Sequence, residues 1–138
     1  MTTQIADTIL INDKIYETYH SALEDYWSKR NNKPFFCSFN TGMHRGYCAK
    51  WELLNNKLYL IDFYGQEFIF ANYCYREYSL NDIFPDEPKV FANWFTGKAE
   101  IPFGDQNQNG YYKAFQVLYF SKGVLLDISN WQNKLRDI

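Results

Sequence analysis

The chain is poor in the residues that usually advertise chemistry. Only two histidines are present, His20 and His44, on different segments and without metal-ligand spacing to any cysteine. The cysteines are three, Cys37, Cys48 and Cys74, an odd number with no CxxC pair. That gives no sign of a disulfide framework, and each thiol lies in an apolar stretch, so each is expected to be a small buried residue in a reducing compartment. A thiol–imidazole pair of His44 with Cys37 or Cys48 is formally possible, but nothing near Cys48 would stabilise a thiolate. Phosphate-binding glycine loops, a nucleophile elbow and an HExxH helix are all missing. So is a run of about 18 apolar residues, which argues against a membrane helix. The first residues, Met1-Thr2-Thr3-Gln4, carry no positive charge before an apolar stretch, so a secretory signal is not expected. The net charge of −2 lacks the basic footprint of a nucleic-acid binder. Together these readings place the protein in the cytoplasm, with no cofactor, metal or nucleic acid.

What is abundant is aromatic. Twelve Tyr, 12 Phe and 4 Trp make up 20% of the 138 residues. Such rings favour strands and bury large areas, and Tyr and Trp are also enriched at binding hot spots. Packing is the leading explanation, and a sticky surface the second. Without repeats, low-complexity tracts or linker-like composition, residues 1–138 read as one domain.

Alternation and turn residues predict the elements. A strand over 8–12 turns at Asn12-Asp13 and returns through Glu17. Ser21-Ala22-Leu23-Glu24 has the capping-box pattern and would open a helix to about Arg30, with Tyr19, Leu23 and Trp27 inward and Tyr26 beside them. Pro34 to Asn40 reads as a strand with Phe35, Cys37 and Phe39 on one face. Arg45–Leu54 and Lys57–Tyr64 read as a hairpin through Asn55-Asn56, because Asn accepts the positive φ of a two-residue turn. That register would oppose Trp51 to Leu60, Tyr47 to Tyr64 and Ala49 to Asp62, all on the inner side.

Gly65-Gln66 reads as a turn, followed by a strand over Glu67–Tyr75. Ser79-Leu80-Asn81-Asp82 is a second capping box, opening a single turn closed by Pro85. Strands are expected over Lys89–Phe95 and Lys98–Phe103, and a polar loop over Gly104–Gly110. A last hairpin spans Tyr111–Phe120 and Val124–Ile128. Ser129-Asn130-Trp131-Gln132 would cap a terminal helix with Trp131, Leu135 and Ile138 inward. The class is mainly β (β-rich α+β): a single curved antiparallel sheet, half-barrel or sandwich, of about nine strands with two or three short helices.

A few polar and aromatic residues are left over as candidate partner-binding positions. Arg45 would stack on a neighbouring ring, as a cap of the core or as an anion site. Asp62, facing inward, would need a partner or an open cavity. Tyr73, Tyr75, Arg76 and Glu77 sit where a strand runs out, with the composition of a recognition patch. Three functions fit. One is a non-enzymatic protein-binding module. Another is a small-ligand or enzymatic domain with an aromatic cavity around Arg45 and Asp62. The third is a structural or regulatory housekeeping module of unknown partner.

The order Arg45-Gly46-Tyr47-x-Ala49-x-Trp51, Ile83-Phe84-Pro85, Trp94-Phe95-Thr96-Gly97 and Ile101-Pro102-x-Gly104 resembles a group of small bacterial proteins. They share an RGYxAxW strand, an LFP turn, a WFxG strand and an IPxG turn, and the likeness spans about residues 8–128. The resemblance implies no enzymatic activity, and cytoplasmic proteins of this kind recur as immunity partners of secreted polymorphic toxins. The implied partner is therefore a cognate toxin. The shared positions are turn glycines and strand aromatics, so the motif transfers no functional residue.

Overall fold

A computed structural model describes residues 6–37, 45–106 and 112–132. In chain order the elements are β1 (Asp7–Ile11), β2 (Lys14–Thr18), α1 (Ala22–Ser28), β3 (Tyr47–Leu54), β4 (Lys57–Ile69), β5 (Cys74–Ser79), α2 (Leu80–Ile83), β6 (Val90–Phe91), β7 (Gly97–Gln106), β8 (Tyr112–Ser121) and β9 (Val124–Gln132). The fold is β-rich α+β, as the alternation implied. All nine strands belong to one sheet of order β2-β1-β3-β4-β9-β8-β7, with β5 and β6 also pairing with β4.

Local chemistry explains the hairpins. The two-residue turns at Asn12-Asp13, Asn55-Asn56 and Lys122-Gly123 hold positive φ at both positions (50° and 67°, 52° and 61°, 49° and 80°). This is the conformation whose twist matches the flanking strands, and Asn, Asp and Gly reach it at least cost. One pairing departs from the antiparallel expectation. β1 runs parallel to β3, with Ile9 opposite Trp51, so the sheet is mixed. A parallel neighbour needs a crossover, and the segment carrying α1 supplies it.

The sheet curls without closing into a barrel. Beyond the end of β2, Tyr19 and β7 residue Glu100 exchange two backbone hydrogen bonds of 2.9 and 3.0 Å, bringing the two ends of the strand order together. The inner face carries the core: Ile9, Tyr47, Trp51, Leu58, Leu60, Phe63, Phe95, Ile101, Leu118 and Phe120 are buried. α1 lays Ala22, Leu23 and Trp27 on that core. Trp27 meets Phe36, Tyr47 and Phe63 at centroid separations of 5.5, 5.4 and 6.2 Å, edge-on or tilted as ring quadrupoles prefer. Among the described residues no helix is long and apolar enough to cross a membrane.

Several expectations are corrected. The β3–β4 hairpin keeps the expected register from Leu54–Lys57 to Trp51–Leu60, then slips: Lys50 opposes Asp62, Ala49 opposes Phe63, and Tyr47 opposes Gly65. The slip is a β-bulge that adds one residue on β4 and moves every later side chain to the other face. Gly65-Gln66 is no turn, because β4 runs straight through to Ile69. Gly65 is needed there for close approach: a Cβ would lie 2.8 Å from the Phe36 ring. The turn falls at 70–73 instead, inside the expected strand.

Ser21 gives α1 no side-chain cap, and Tyr19 is exposed on the bridge to β7 rather than on the helix. The box at Ser79–Asp82 is present in full. Among the described residues of 34–40, which end at Cys37, only Phe36 makes a strand bridge, with Glu67; Phe36 packs inward and Phe35 is 76% exposed, while Phe39 lies outside the described residues. The strand expected over Lys89–Phe95 shrinks to Val90–Phe91, because Phe95 N–H turns back to the Ala92 carbonyl. β7 extends through Gln106, into the expected loop, whose remainder is outside the described residues. β9 continues to Gln132 where a helix was expected to start, since β8 offers a ladder as far as Ala114–Gln132; residues 133–138 are not described. The thiols are less buried than expected. Cys37 and Cys48 are half-buried and Cys74 is exposed, all three free.

Candidate functional site

The bulge sets up an outward-facing aromatic patch. Past it, Phe63 and Gly65 face the core, and Tyr64, Gln66 and Phe68 face the other way by the period-2 alternation of a strand. β5 completes the patch through the pairs Tyr64–Ser79, Gln66–Glu77 and Phe68–Tyr75. Phe68 is the centre of a ring cluster, with centroids 4.7 Å from Phe70, 5.3 Å from Tyr75 and 6.3 Å from Tyr73. Phe70 and Tyr73 are 74% and 81% exposed, so the tip of the hairpin is a set of rings that water still reaches.

The tip is tightly specified for such an exposed element. Asn72 Oδ1 accepts the Cys74 N–H at 3.2 Å, the side-chain turn that asparagine favours. Tyr73 sits at φ 53°, a left-handed conformation that costs a bulky residue of order 1 kcal/mol or more. On the inner side, Glu67 accepts from Tyr78 Oη at 2.8 Å and from the Phe35 N–H at 3.1 Å, anchoring the hairpin base.

A second cluster lies in the interior. Asp7, 5% exposed, accepts from Arg45 Nη2 at 2.7 Å, from the Ala49 N–H at 3.0 Å and from Trp51 Nε1 at 3.3 Å. It ties β1 to β3 and to the residue that leads into β3. Arg45 also lies 4.4 Å from the Tyr47 ring centroid. Burial works to lower the Arg45 pKa, but the charge of Asp7 and its hydrogen bond outweigh that and hold it raised. Tyr47 Oη donates to Glu24 Oε1 at 2.5 Å, and burial first, then that bond, pushes its phenol well above the ordinary range. Next to this network, burial drives the His20 imidazole down to about 4, with Asp7 opposing and Arg45 reinforcing. Among the described residues no group of three or more His, Cys, Asp or Glu could hold a metal ion.

The expected site residues therefore divide. Tyr73 and Tyr75 come together on the hairpin, joined by Phe68 and Phe70. Glu77 is on the same outer face, where its carboxylate accepts from Tyr64 Oη at 3.3 Å. Arg76 is exposed but folds over the Tyr78 ring at 4.6 Å, on the other side of the strand. Arg45 does stack on a ring, as its position beside Tyr47 implied, and its guanidinium is held by Asp7. Asp62 is not inward: the bulge turns it to solvent opposite Lys50, where it accepts from the Phe63 N–H at 2.9 Å. Arg45 and Asp62 thus do not line one cavity.

Asp7, His20, Phe68 and Phe70 were not singled out by the sequence. The signal for Asp7 was its parity with the buried Ile9, which places a carboxylate on the core face of β1. Comparison with known proteins found no match to the chain among family models, curated proteins or solved structures.

Proposed function

We propose that this chain is a non-enzymatic protein-binding module that docks through the outer face of the β4–β5 hairpin. The observation that carries the reading is the exposed pair Phe70 and Tyr73, grouped with Phe68 and Tyr75 and contributing nothing to the core. Clustered aromatic rings that already hold one another need little ordering on association, and such rings dominate binding energy at interfaces. A strained tyrosine backbone at the tip is a cost that folding alone gives no reason to keep.

The partner is proposed to be a bacterial toxin, neutralised in the cytoplasm by direct contact. The likeness of the Arg45–Trp51, Ile83–Pro85, Trp94–Gly97 and Ile101–Gly104 segments to immunity-type proteins supports this. A sequence pI near 5.6 also suits a basic, nucleic-acid-directed toxin. The test is to search the neighbouring genes for a toxin domain and co-express any that is found with this chain. Growth should be rescued by the wild type and lost with Phe70→Ser/Tyr73→Ser. No rescue by the wild type would refute the immunity reading. Equal rescue by the double variant would refute the docking surface.

A further inference from the structure

Residues 18–22 form the seam at which the curled sheet meets itself, and they contain a polar group that the proposed binding surface does not use. Tyr19 holds β7 by its two backbone hydrogen bonds to Glu100. The next residue, His20, is packed between Trp51 and Phe95, with ring centroids 4.8 and 5.6 Å away. Its Nδ1 accepts the Ala22 N–H at 3.1 Å, the first amide of α1, so this imidazole does the capping that Ser21 does not. An accepting Nδ1 carries no proton, which places the imidazole proton on Nε2. That Nε2 and Thr18 Oγ1 are both shut off from solvent without a hydrogen-bond partner among the described residues. The far side of the helix start is fixed by Trp94 Nε1, which donates to the Ala22 carbonyl at 2.6 Å.

We propose that His20 is an acid-released latch: protonating its imidazole frees the start of α1 and opens the Tyr19–Glu100 seam while the β3–β4 hairpin stays folded. A proton on Nδ1 removes the acceptor for Ala22 and sets two N–H donors facing each other. It also puts a positive charge in a site shut off from water, a desolvation cost that the Trp51 and Phe95 rings offset only in part. The charged groups that bear on the ring are Asp7 from β1 and Arg45 ahead of β3. Asp7 favours the imidazolium, but its oxygens are already engaged by Arg45, Ala49 and Trp51. Arg45 repels it. On β7, Glu100 pairs its side chain with Lys98 at 3.4 Å.

The sign follows from the depressed pKa. Burial, the largest influence, takes the ring from an ordinary 6.5 to about 4 in the closed seam. The latch therefore holds fully above the ordinary value and weakens as pH falls from there toward the lower one. At pH 5 the opening equilibrium should rise about 20-fold over neutral pH.

The test is amide hydrogen exchange at pH 7.5 and 5.0, read as protection factors. The Tyr19, Ala22 and Glu100 amides should lose about 10- to 30-fold protection, with Trp51 and Leu60 unchanged. His20→Asn, whose side-chain oxygen can still cap Ala22 but takes up no proton in this range, should abolish the difference. A pH-independent seam would overturn the proposal. So would loss of protection in all five amides at once, or an unaltered drop in His20→Asn. If that variant fails to fold, an imidazole titration of the wild type by NMR decides instead: its midpoint must lie well below 6, and seam protection must fall as pH drops from about 6.5 toward that midpoint and level off below it.

Discussion

Replacing Asp7 by alanine removes a carboxylate that ties β1 to β3 beyond their parallel ladder, and the cost can be worked from its three partners. The Ala49 N–H is buried and loses its acceptor, a penalty of about 1–3 kcal/mol. Trp51 Nε1, at 3.3 Å, gives a longer bond worth about 1 kcal/mol. Arg45 keeps 38% of its side chain in water, so it can rehydrate, and losing Asp7 costs it about 1 kcal/mol rather than the several of a sealed pair. The expected destabilisation is about 3–5 kcal/mol for Asp7→Ala, and roughly half that for Asp7→Asn, which keeps a carbonyl acceptor. Urea denaturation followed by tryptophan fluorescence measures both. A cycle with Arg45→Ala should show coupling of about 1 kcal/mol. A well-folded Asp7→Ala within about 1 kcal/mol of wild type would refute the reasoning, and would mean that the Asp7–Arg45 pair is kept for something other than stability.

Two further substitutions probe the frame. Trp51→Ala, at a position 1% exposed under His20 and opposite Ile9, should cost about 3–5 kcal/mol by thermal or urea denaturation. Gly123→Ala should cost more than about 2 kcal/mol by the same measurement, because φ is +80° there and a Cβ would collide with the Ala92 carbonyl oxygen.

Local turn chemistry was the most legible part of this sequence. Asn12-Asp13, Asn55-Asn56 and the Lys122-Gly123 step all announce left-handed positions, and three hairpins follow from them. The bulge in β4 was harder, since nothing at Lys50 or Trp51 marks it. Its trace is a change of parity in the partner strand: Leu58 and Leu60 are buried at even numbers, Phe63 and Gly65 at odd ones. Missing that change put Asp62 inside. Gly65 misled because a glycine that admits a neighbouring ring has the same letter as one that turns the chain. The parallel β1–β3 pairing joins segments some forty residues apart, and such contacts leave no local pattern.

The candidate surface was half legible. Tyr73 and Tyr75 stood out as rings at a strand end. Phe68 and Phe70 did not, because their alternation looks the same whether the face they share is covered or bare. Only the pairing of β4 with β5 decides that it is bare at the tip.

The most direct test of that surface is calorimetric titration of the proposed toxin partner, once a neighbouring gene supplies a candidate, with wild type and with Phe70→Ser/Tyr73→Ser. The expected result is tight binding by the wild type and affinity at least about 100-fold weaker for the variant, whose melting temperature is unchanged. Equal affinity for the two proteins would contradict it, and the aromatic tip would then have no part in recognition.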